Sequence, residues 1–259
     1  MPVYSTITEK IEREGAVHVS LIDPDPLRQS PREAGMIAEA VTAAGSDVIF
    51  VGGSTAFDQG FVDRTIVKIK ENTDRPVVIF PGGLTNISKH ADAILFMSLL
   101  NSKSPYFIVG QQALGAYAIK MAGLETISTG YLIIEPGATA GWLGDAKLLP
   151  RRKPELTACY ALAAQLFGFK LIYLEAGSGA KPAIPPEIVK LTRQVVQVPL
   201  VVGGGVDAAA EAADVVSNGA DVVVMGTYIE RHYKDTGFVQ TLSEIIEAMK
   251  SAGLERRGR

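Results

Sequence analysis

The fold of this chain is decided by the stretch Lys170-Leu171-Ile172-Tyr173-Leu174-Glu175-Ala176-Gly177-Ser178-Gly179, in which an apolar run gives way to small residues. An apolar run of this length with glycine after it is typical of a buried β-strand that ends in a loop. Pro185 and Pro186 come next, and the segment Pro186–Val196 has the spacing of a helix. The stretch therefore predicts one strand–loop–helix unit.

The same pattern recurs along the whole chain. Helical segments separate most of the apolar runs, and continuous apolar strands that alternate with helices are typical of a parallel sheet buried on both faces. Eight strands in 259 residues favour a closed TIM-type (β/α)8 barrel, of class α/β, over an open doubly wound sheet. The predicted strands are Ala16–Ile22, Asp47–Val51, Pro76–Phe80, Ala93–Met97, Tyr131–Ile134, Lys170–Leu174, Leu200–Val202 and Asp221–Met225.

Two segments depart from this pattern. Only about a dozen residues separate Phe80 from Ala93, which is short for a crossover helix, so a loop is predicted in place of the third helix. The segment Ala138–Lys153 is predicted to be an irregular loop with a functional role, such as that of a lid. Because no linker or change of composition divides the chain, residues 1–259 are predicted to form one catalytic barrel domain.

Composition argues against several classes of protein. A formal net charge of −3 is unlike that of a general nucleic-acid binder. Charges in Glu9–Glu14 interrupt any signal peptide and no run has the length of a membrane span, so a cytoplasmic protein is expected, with transient membrane contact left open. Because Cys159 is the only cysteine, the chain has no internal disulfide, and this residue is expected to be buried. The basic tail Arg256–Arg259 is expected to be solvated.

Three consecutive strands end in glycine-rich loops, at Gly177–Gly179, Gly203–Gly205 and Gly226–Thr227. Residues without Cβ let backbone N–H groups approach an oxyanion closely. Barrels commonly bind phosphate after the seventh and eighth strands, beside an extra helical turn, which is predicted here at Tyr228–Tyr233. The loops therefore predict a phosphate site, although glycines that only relieve crowding at turns would give the same pattern.

Oxygen-bearing side chains follow the first two strands. Asp23 ends the first strand, and Ser54 and Thr55 end the second. A carboxylate beside a hydroxyl suits Mg²⁺, which takes its remaining ligands from water and from substrate phosphates. These residues predict a metal site for a second, diphosphate-bearing substrate. In the alternative interpretation Asp23, like Asp25, only caps a turn before proline.

Glu175 is the candidate general base. It follows the sixth strand, and strand alternation points Tyr173 in the same direction, so that the tyrosine can hydrogen-bond to it. The alternative is a salt bridge between Glu175 and Lys181 or another cation of the barrel. Glu135, at the end of the fifth strand, is a second acidic residue, for which a structural role is expected.

Apolar residues crowd the ends of strands three to five. Such residues usually form core, but an excess at a barrel mouth would also line a groove for a long hydrocarbon. They are Phe96, Leu99, Leu100, Tyr106, Phe107 and Ile108.

Six segments carry a resemblance to a known family: Leu21–Asp25, Val51–Thr55, Phe80–Gly82, Tyr173–Ala180, Val202–Gly205 and Met225–Thr227. In this order, over essentially the full chain, they closely resemble the motifs of geranylgeranylglyceryl phosphate synthases. Those prenyltransferases make the first ether bond of archaeal membrane lipids.

The resemblance implies a reaction and a set of residues. Asp23 and Ser54 would hold Mg²⁺, and Glu175 with Tyr173 would deprotonate the C3 hydroxyl of sn-glycerol-1-phosphate, whose oxygen attacks C1 of geranylgeranyl diphosphate and expels diphosphate. It also implies a barrel without the third helix and a homo-oligomer, either dimer or hexamer. Residues implied to bind the glycerol phosphate are Tyr173, Leu174, Glu175, Ala176, Gly177, Ser178, Gly179, Gly204, Gly205, Gly226 and Thr227.

Three alternatives stay open on the sequence. The related bacterial heptaprenylglyceryl phosphate synthase has the same chemistry with a longer prenyl donor. A phosphosugar isomerase on the same barrel would need neither Mg²⁺ nor a hydrocarbon groove. A non-catalytic phosphometabolite-binding barrel would have no need of the carboxylates Glu175 and Asp23 beside an anion.

Overall fold

The predicted strands form a closed parallel barrel. The structure is a computed structural model that describes residues 1–53 and 58–258. Each strand pairs in parallel with the next, and β8 pairs with β1, which confirms the (β/α)8 prediction. The strands are β1 Val17–Ile22, β2 Val48–Val51, β3 Val77–Ile79, β4 Ala93–Leu99, β5 Glu125–Ile133, β6 Leu171–Glu175, β7 Leu200–Gly203 and β8 Val222–Met225.

Helices surround the barrel. Between β3 and β4 the chain makes only the 3₁₀ turn Leu84–Asn86, so the predicted loss of the third barrel helix is confirmed. Over residues 1–53 and 58–258, no helix combines the length and apolar character needed to cross a membrane. The α-helices are α1 Val3–Glu14, α2 Pro31–Ala43, α3 Gln59–Lys70, α4 Gln111–Ala122, α5 Ala138–Leu143, α6 Pro154–Leu166, α7 Pro186–Val195, α8 Ala209–Ser217, α9 Thr227–His232 and α10 Phe238–Arg257.

Helix α1 closes the N-terminal end of the barrel. Its buried residues Val3, Ile7 and Ile11 join the apolar layer inside the barrel, which includes Val17 and Val222. The rest of the helix is mostly polar, and its apolar residues form only one narrow stripe at every fourth position, so the helix was not predicted from the sequence. With this end filled, the opposite end, where the strands finish, is left for a binding site.

Three local predictions need correction. Helical spacing in the sequence predicts one helix over Phe107–Met121, whereas the structure has a π-helical turn, Tyr106–Gly110, before α4 starts. Strand β5 starts at Glu125 and not at Tyr131, because polar residues ahead of the apolar run pair in register with β4. The segment predicted as an irregular loop contains the short helix α5.

Two burial predictions are also wrong. Cys159 is exposed, because α6 turns Ala158 and Ala161 inward and leaves the cysteine outside. The apolar character of α6 on all sides hid which face packs on the barrel. In the basic tail, the mostly buried Arg256 pairs with Asp221 at 2.7 Å and donates hydrogen bonds to two backbone carbonyls. Arg259 lies outside the described residues.

Candidate active site

A single cavity at the C-terminal end of the barrel brings the two predicted half-sites together. Asp23 from the end of β1 and Glu175 from the end of β6 both line it. Tyr173 lines the same cavity, and burial, followed by the charge of Glu175 and more weakly that of Asp23, raises the pKa of its hydroxyl. Of the other predicted site residues, those that line the cavity are Ser178, Gly204, Gly205, Gly226 and Thr227.

Glu175 is a buried carboxyl group that remains able to ionise. It is the last residue of β6 and only 6% exposed. Burial raises its pKa to about 7, and hydrogen bonding from the Gly177 N–H and from the hydroxyls of Tyr173 and Tyr131 opposes this effect. The Gly177 N–H donates to Glu175 Oε1 at 2.6 Å. A carboxyl group with such a pKa can take up and release a proton near neutral pH.

Three aromatic rings pack around this carboxyl group. The ring of Phe80 stacks on that of Tyr173 with centroids 5.3 Å apart, and Tyr131 meets Tyr173 edge-on at 5.2 Å. Tyr131 and Tyr173 are cross-strand partners on β5 and β6, so their side chains point to the same side of the sheet. Burial raises the pKa of both tyrosines well above the ordinary value, which keeps both hydroxyls protonated and able to donate.

The loop after β7 has a backbone that side chains would disrupt. Gly204 and Gly205 both have positive φ, at 86° and 81°. A Cβ on Gly204 would lie 2.7 Å from the Gly177 carbonyl oxygen and 2.8 Å from Glu175 Oε1. The glycine therefore allows the loop to approach the carboxylate closely.

The loops after β6 and β8 meet at the same side of the cavity. Ser178 Oγ and Thr227 Oγ1 lie 3.1 Å apart. By contrast, Leu174 and Ala176 turn their side chains to the helix-facing core, which leaves only their backbone for the cavity side. Gly179 does not line the cavity, and Gly177, which also does not, uses its N–H to hold Glu175.

Asp23 is poised for a cation. Its Oδ1 oxygen is shielded from solvent and has no hydrogen-bond partner. Burial and, after it, the nearby carboxylate of Glu230, on α9, raise its pKa to about 7. A buried carboxylate beside a second carboxylate is relieved by a bound cation or a proton. Ser54, predicted as the second metal ligand, and Thr55 lie outside the described residues.

Three neighbouring charged residues have structural roles. Asp25 accepts the Leu27 N–H at 2.9 Å and pairs with Arg28, as expected for the turn interpretation. Glu135 accepts the Arg151 N–H at 3.2 Å, away from the cavity. Lys181 pairs with Asp207 at 2.8 Å, so the alternative salt bridge to Glu175 is not formed.

Comparison with known proteins identifies the family. The model of the PcrB family matches residues 8–249. The chain belongs to the PcrB family. A geranylgeranylglyceryl phosphate synthase of Thermococcus gammatolerans is 49% identical over 245 residues, which cover 95% of this chain and 94% of that protein. The relative of that name in Thermococcus kodakarensis is also 49% identical, over 247 residues, with 95% of both chains covered.

A solved structure agrees with this family over nearly the whole fold. It is the crystal structure of (S)-3-O-geranylgeranylglyceryl phosphate synthase from Thermoplasma acidophilum in complex with substrate sn-glycerol-1-phosphate. Its TM-score is 0.91 at 41% identity, with 97% of this chain and 99% of that chain covered. The resemblance inferred from the sequence motifs is thus confirmed.

Two residues of this PcrB family chain were missed from the sequence. Tyr131 contacts the Glu175 carboxyl region, and its signal was a lone tyrosine in an otherwise aliphatic strand. Glu230 faces Asp23 from α9, and nothing in its local sequence distinguishes it from a solvated helix residue. Both positions depend on the packing of elements that are distant in the chain.

The remainder of the cavity is mainly apolar. Helix α4 forms one wall through Gln112, Gly115 and Ile119, and the turn between β3 and β4 contributes Leu84 and Ile87. Of the residues predicted for a hydrocarbon groove, Phe96, Leu99 and Phe107 line the cavity, whereas Leu100 packs in the helix-facing core. The place of the missing third helix therefore forms the side of the groove.

Proposed function

We propose that this chain is a geranylgeranylglyceryl phosphate synthase, which joins the C3 hydroxyl of sn-glycerol-1-phosphate to geranylgeranyl diphosphate. The observation that carries the proposal is the buried, ionisable Glu175 on one cavity with Asp23, in a chain that matches proteins of that name over nearly its full length. The products are geranylgeranylglyceryl phosphate and diphosphate. The Thermoplasma acidophilum relative holds sn-glycerol-1-phosphate, which supports the same acceptor here.

The glycerol phosphate is proposed to bind at the loops after β6, β7 and β8. Gly204 and Gly205 bring backbone close to the cavity, and the hydroxyls of Ser178 and Thr227 lie beside each other on its wall. Backbone N–H groups and hydroxyls are donors that suit a phosphate dianion. In the proposed arrangement the phosphate lies next to Glu175, and the glycerol hydroxyls are directed toward the carboxylate.

Glu175 is proposed to act as the general base. Its ionised carboxylate takes the proton of the C3 hydroxyl as that oxygen forms a bond to C1 of the prenyl chain and the bond from C1 to diphosphate breaks. Tyr173 and Tyr131 hold the carboxylate in place through their hydroxyls. The proton remains on Glu175 and leaves to solvent after the product departs.

Mg²⁺ is the proposed cofactor, and the side chains at the mouth of β1 fit it. Asp23 offers an unpartnered, buried oxygen, and Glu230 adds negative charge nearby. Mg²⁺ takes most of its ligands from water and from substrate phosphates, so few protein ligands are needed to hold it. When bound, Mg²⁺ would neutralise charge on the leaving diphosphate. Asp23, together with Ser54, would hold it.

The test is an ether-product assay with purified protein, sn-glycerol-1-phosphate, Mg²⁺ and prenyl diphosphates of increasing length. We expect product with the geranylgeranyl donor and a rate at least tenfold lower with a heptaprenyl donor. EDTA should abolish turnover and added Mg²⁺ should restore it. A faster reaction with the heptaprenyl donor would favour the bacterial activity. The absence of product with every donor, despite binding of the glycerol phosphate, would favour a non-catalytic binding barrel.

A further inference from the structure

The outer face of α4 is an exposed apolar strip. Leu114, Tyr117 and Met121 are 65%, 74% and 70% exposed, and Ala118 between them is exposed as well. Positions 114, 117, 118 and 121 lie on one side of an α-helix. We call these four residues the α4 strip. Soluble proteins rarely leave such a contiguous set of large apolar side chains uncovered without a function.

The strip lies on the other side of the helix that walls the hydrocarbon groove. Gln112, Gly115 and Ile119 of α4 line the cavity, and the strip residues point away from them. One helix therefore separates the apolar groove from the apolar outer surface. The π-helical turn that leads into α4 continues this surface with the half-exposed Tyr106 and the exposed Val109.

The charges around the strip favour an anionic surface. From Ala93 to Leu124 the sequence contains no aspartate or glutamate, and its only charged residues are Lys103 and Lys120. Lys103 forms an exposed ion pair with Asp145 at 3.6 Å. Lys120 flanks the strip, and across residues 1–53 and 58–258 it forms no ion pair. Exposed apolar side chains flanked by lysine, in a segment without acidic residues, suit contact with an anionic membrane surface.

We propose that the α4 strip docks this chain onto the surface of a bilayer that contains anionic lipid. The inference rests on the proposed function, because a substrate and a product with long hydrocarbon tails need a route between membrane and groove. Contact through α4 would place the groove wall against the bilayer. The apolar side chains would enter the interface, and Lys120 would meet lipid phosphate.

The test is flotation of the full chain with vesicles of phosphatidylcholine that contain about one-third phosphatidylglycerol, an anionic fraction at which each basic side chain contributes measurably to binding. The strip variant carries Leu114→Gln, Tyr117→Gln and Met121→Gln. The matched control carries Leu156→Gln, Tyr160→Gln and Leu166→Gln, which remove exposed apolar residues of similar size from α6. Glutamine keeps helix propensity, and thermal unfolding confirms that each variant folds.

We expect the parent and the α6 control to float, and the strip variant to partition at least about tenfold less. Higher salt or pure phosphatidylcholine should weaken binding of the parent. The proposal is overturned if the parent does not float, if the strip variant floats like the parent, or if both variants lose binding equally. Loss of oligomeric mass in the strip variant with flotation unchanged would assign the strip to contact between copies.

The assay separates this proposal from the proposed function because flotation needs no turnover. A chain that floats through the strip but makes no ether product retains the docking surface and refutes the synthase. A chain that makes product but never floats retains the synthase and refutes the docking surface.

Discussion

The Glu175 carboxyl group shows how opposing effects set the chemistry of one residue. Burial alone would keep it protonated, whereas one backbone N–H and two tyrosine hydroxyls stabilise its charge. The result is a pKa of about 7. A base of that strength is ionised in a large fraction of molecules at neutral pH and still accepts a proton readily.

The hydroxyl of Tyr131 should control the pH at which the enzyme becomes active. In the Tyr131→Phe variant the Glu175 carboxylate loses one donor, so its pKa rises further. The acidic limb of the kcat/KM profile should therefore move to higher pH by about one unit, the size of one hydrogen bond to a charged group. The measurement is kcat/KM from pH 5.5 to 9, a range of about two units on each side of neutrality.

Tyr160→Phe, on the outer face of α6, is the control and should leave the profile unchanged. If the acidic limb of the kcat/KM profile does not move in Tyr131→Phe, then Tyr131 does not influence the pKa of Glu175. A shift of this limb to lower pH would contradict the role assigned to the hydroxyl.

A second titratable residue should affect stability instead of activity. His18 is fully buried, with Nδ1 3.1 Å from Ser46 Oγ and Nε2 unpartnered. Burial lowers its pKa to about 4 from the ordinary 6.5. Between these values the unfolded chain binds a proton that the folded chain does not, so stability falls as pH decreases from about 6.5 toward 4. The loss by pH 4.5 amounts to roughly 2–3 kcal/mol.

Urea unfolding at about pH 7.5 and 4.5 should detect the contribution of His18 to stability. The first value lies about one unit above pH 6.5, where the effect begins, and the second about two units below it. Acidification should destabilise the parent by roughly 2–3 kcal/mol more than it destabilises His18→Gln, which has no titrating ring. Taking this difference cancels the carboxyl groups common to both proteins, including Asp23 and Glu175, whose raised pKa values act in the opposite direction. Parallel pH dependence in the two proteins would contradict the assignment.

At the level of elements, the replacement of a barrel helix by a short turn creates the hydrocarbon groove. The turn Leu84–Asn86 leaves a gap beside β3 that α4 covers only in part. Gly115 of α4 lies close to this turn, since a Cβ there would lie 3.1 Å from Leu84 Cδ2 and 3.3 Å from Ile87 Cδ1. The absence of a side chain at this position keeps the groove open.

Gly115→Val should narrow the groove. We expect kcat/KM with the geranylgeranyl donor to fall about tenfold relative to a geranyl donor, because a branched side chain displaces about one or two methylene groups of a bound tail. Ala116→Val, one residue along α4 and exposed, is the control for the change in helix propensity. Equal loss with both donors, or the same donor preference in the control, would show that Gly115 does not limit the tail.

The elements themselves were predictable where periodicity and length agreed. Continuous apolar runs identified all eight strands, and the short gap after Phe80 identified the missing helix. Helix α1 was not predicted, because its burial depends on the barrel end that it fills. The start of β5 at Glu125 was not predicted, because that segment is a strand through its pairing with β4 and not through local apolar character.

At the scale of the whole molecule, topology made the site partly predictable. In a closed parallel barrel all strand ends meet at one face, so residues as distant in sequence as Asp23 and Glu175 could be placed on the same cavity. Side chains that packing brings near a site residue, as α9 brings Glu230 near Asp23, could not be placed in this way. Assembly into a dimer or hexamer and a cytoplasmic location stay predictions from the resemblance and the composition.

Two conservative variants test the central claim, that a metal-holding carboxylate and a proton-accepting carboxylate act across one barrel mouth. The measurement compares turnover of Asp23→Asn and Glu175→Gln with their affinity for sn-glycerol-1-phosphate, measured by calorimetry. Each substitution keeps the shape of the side chain and removes its charge. Both variants should bind sn-glycerol-1-phosphate within about threefold of the parent and lose about 10²-fold or more in turnover. Turnover like that of the parent in either variant, or a loss of affinity that accounts for the whole loss of turnover, would contradict the claim.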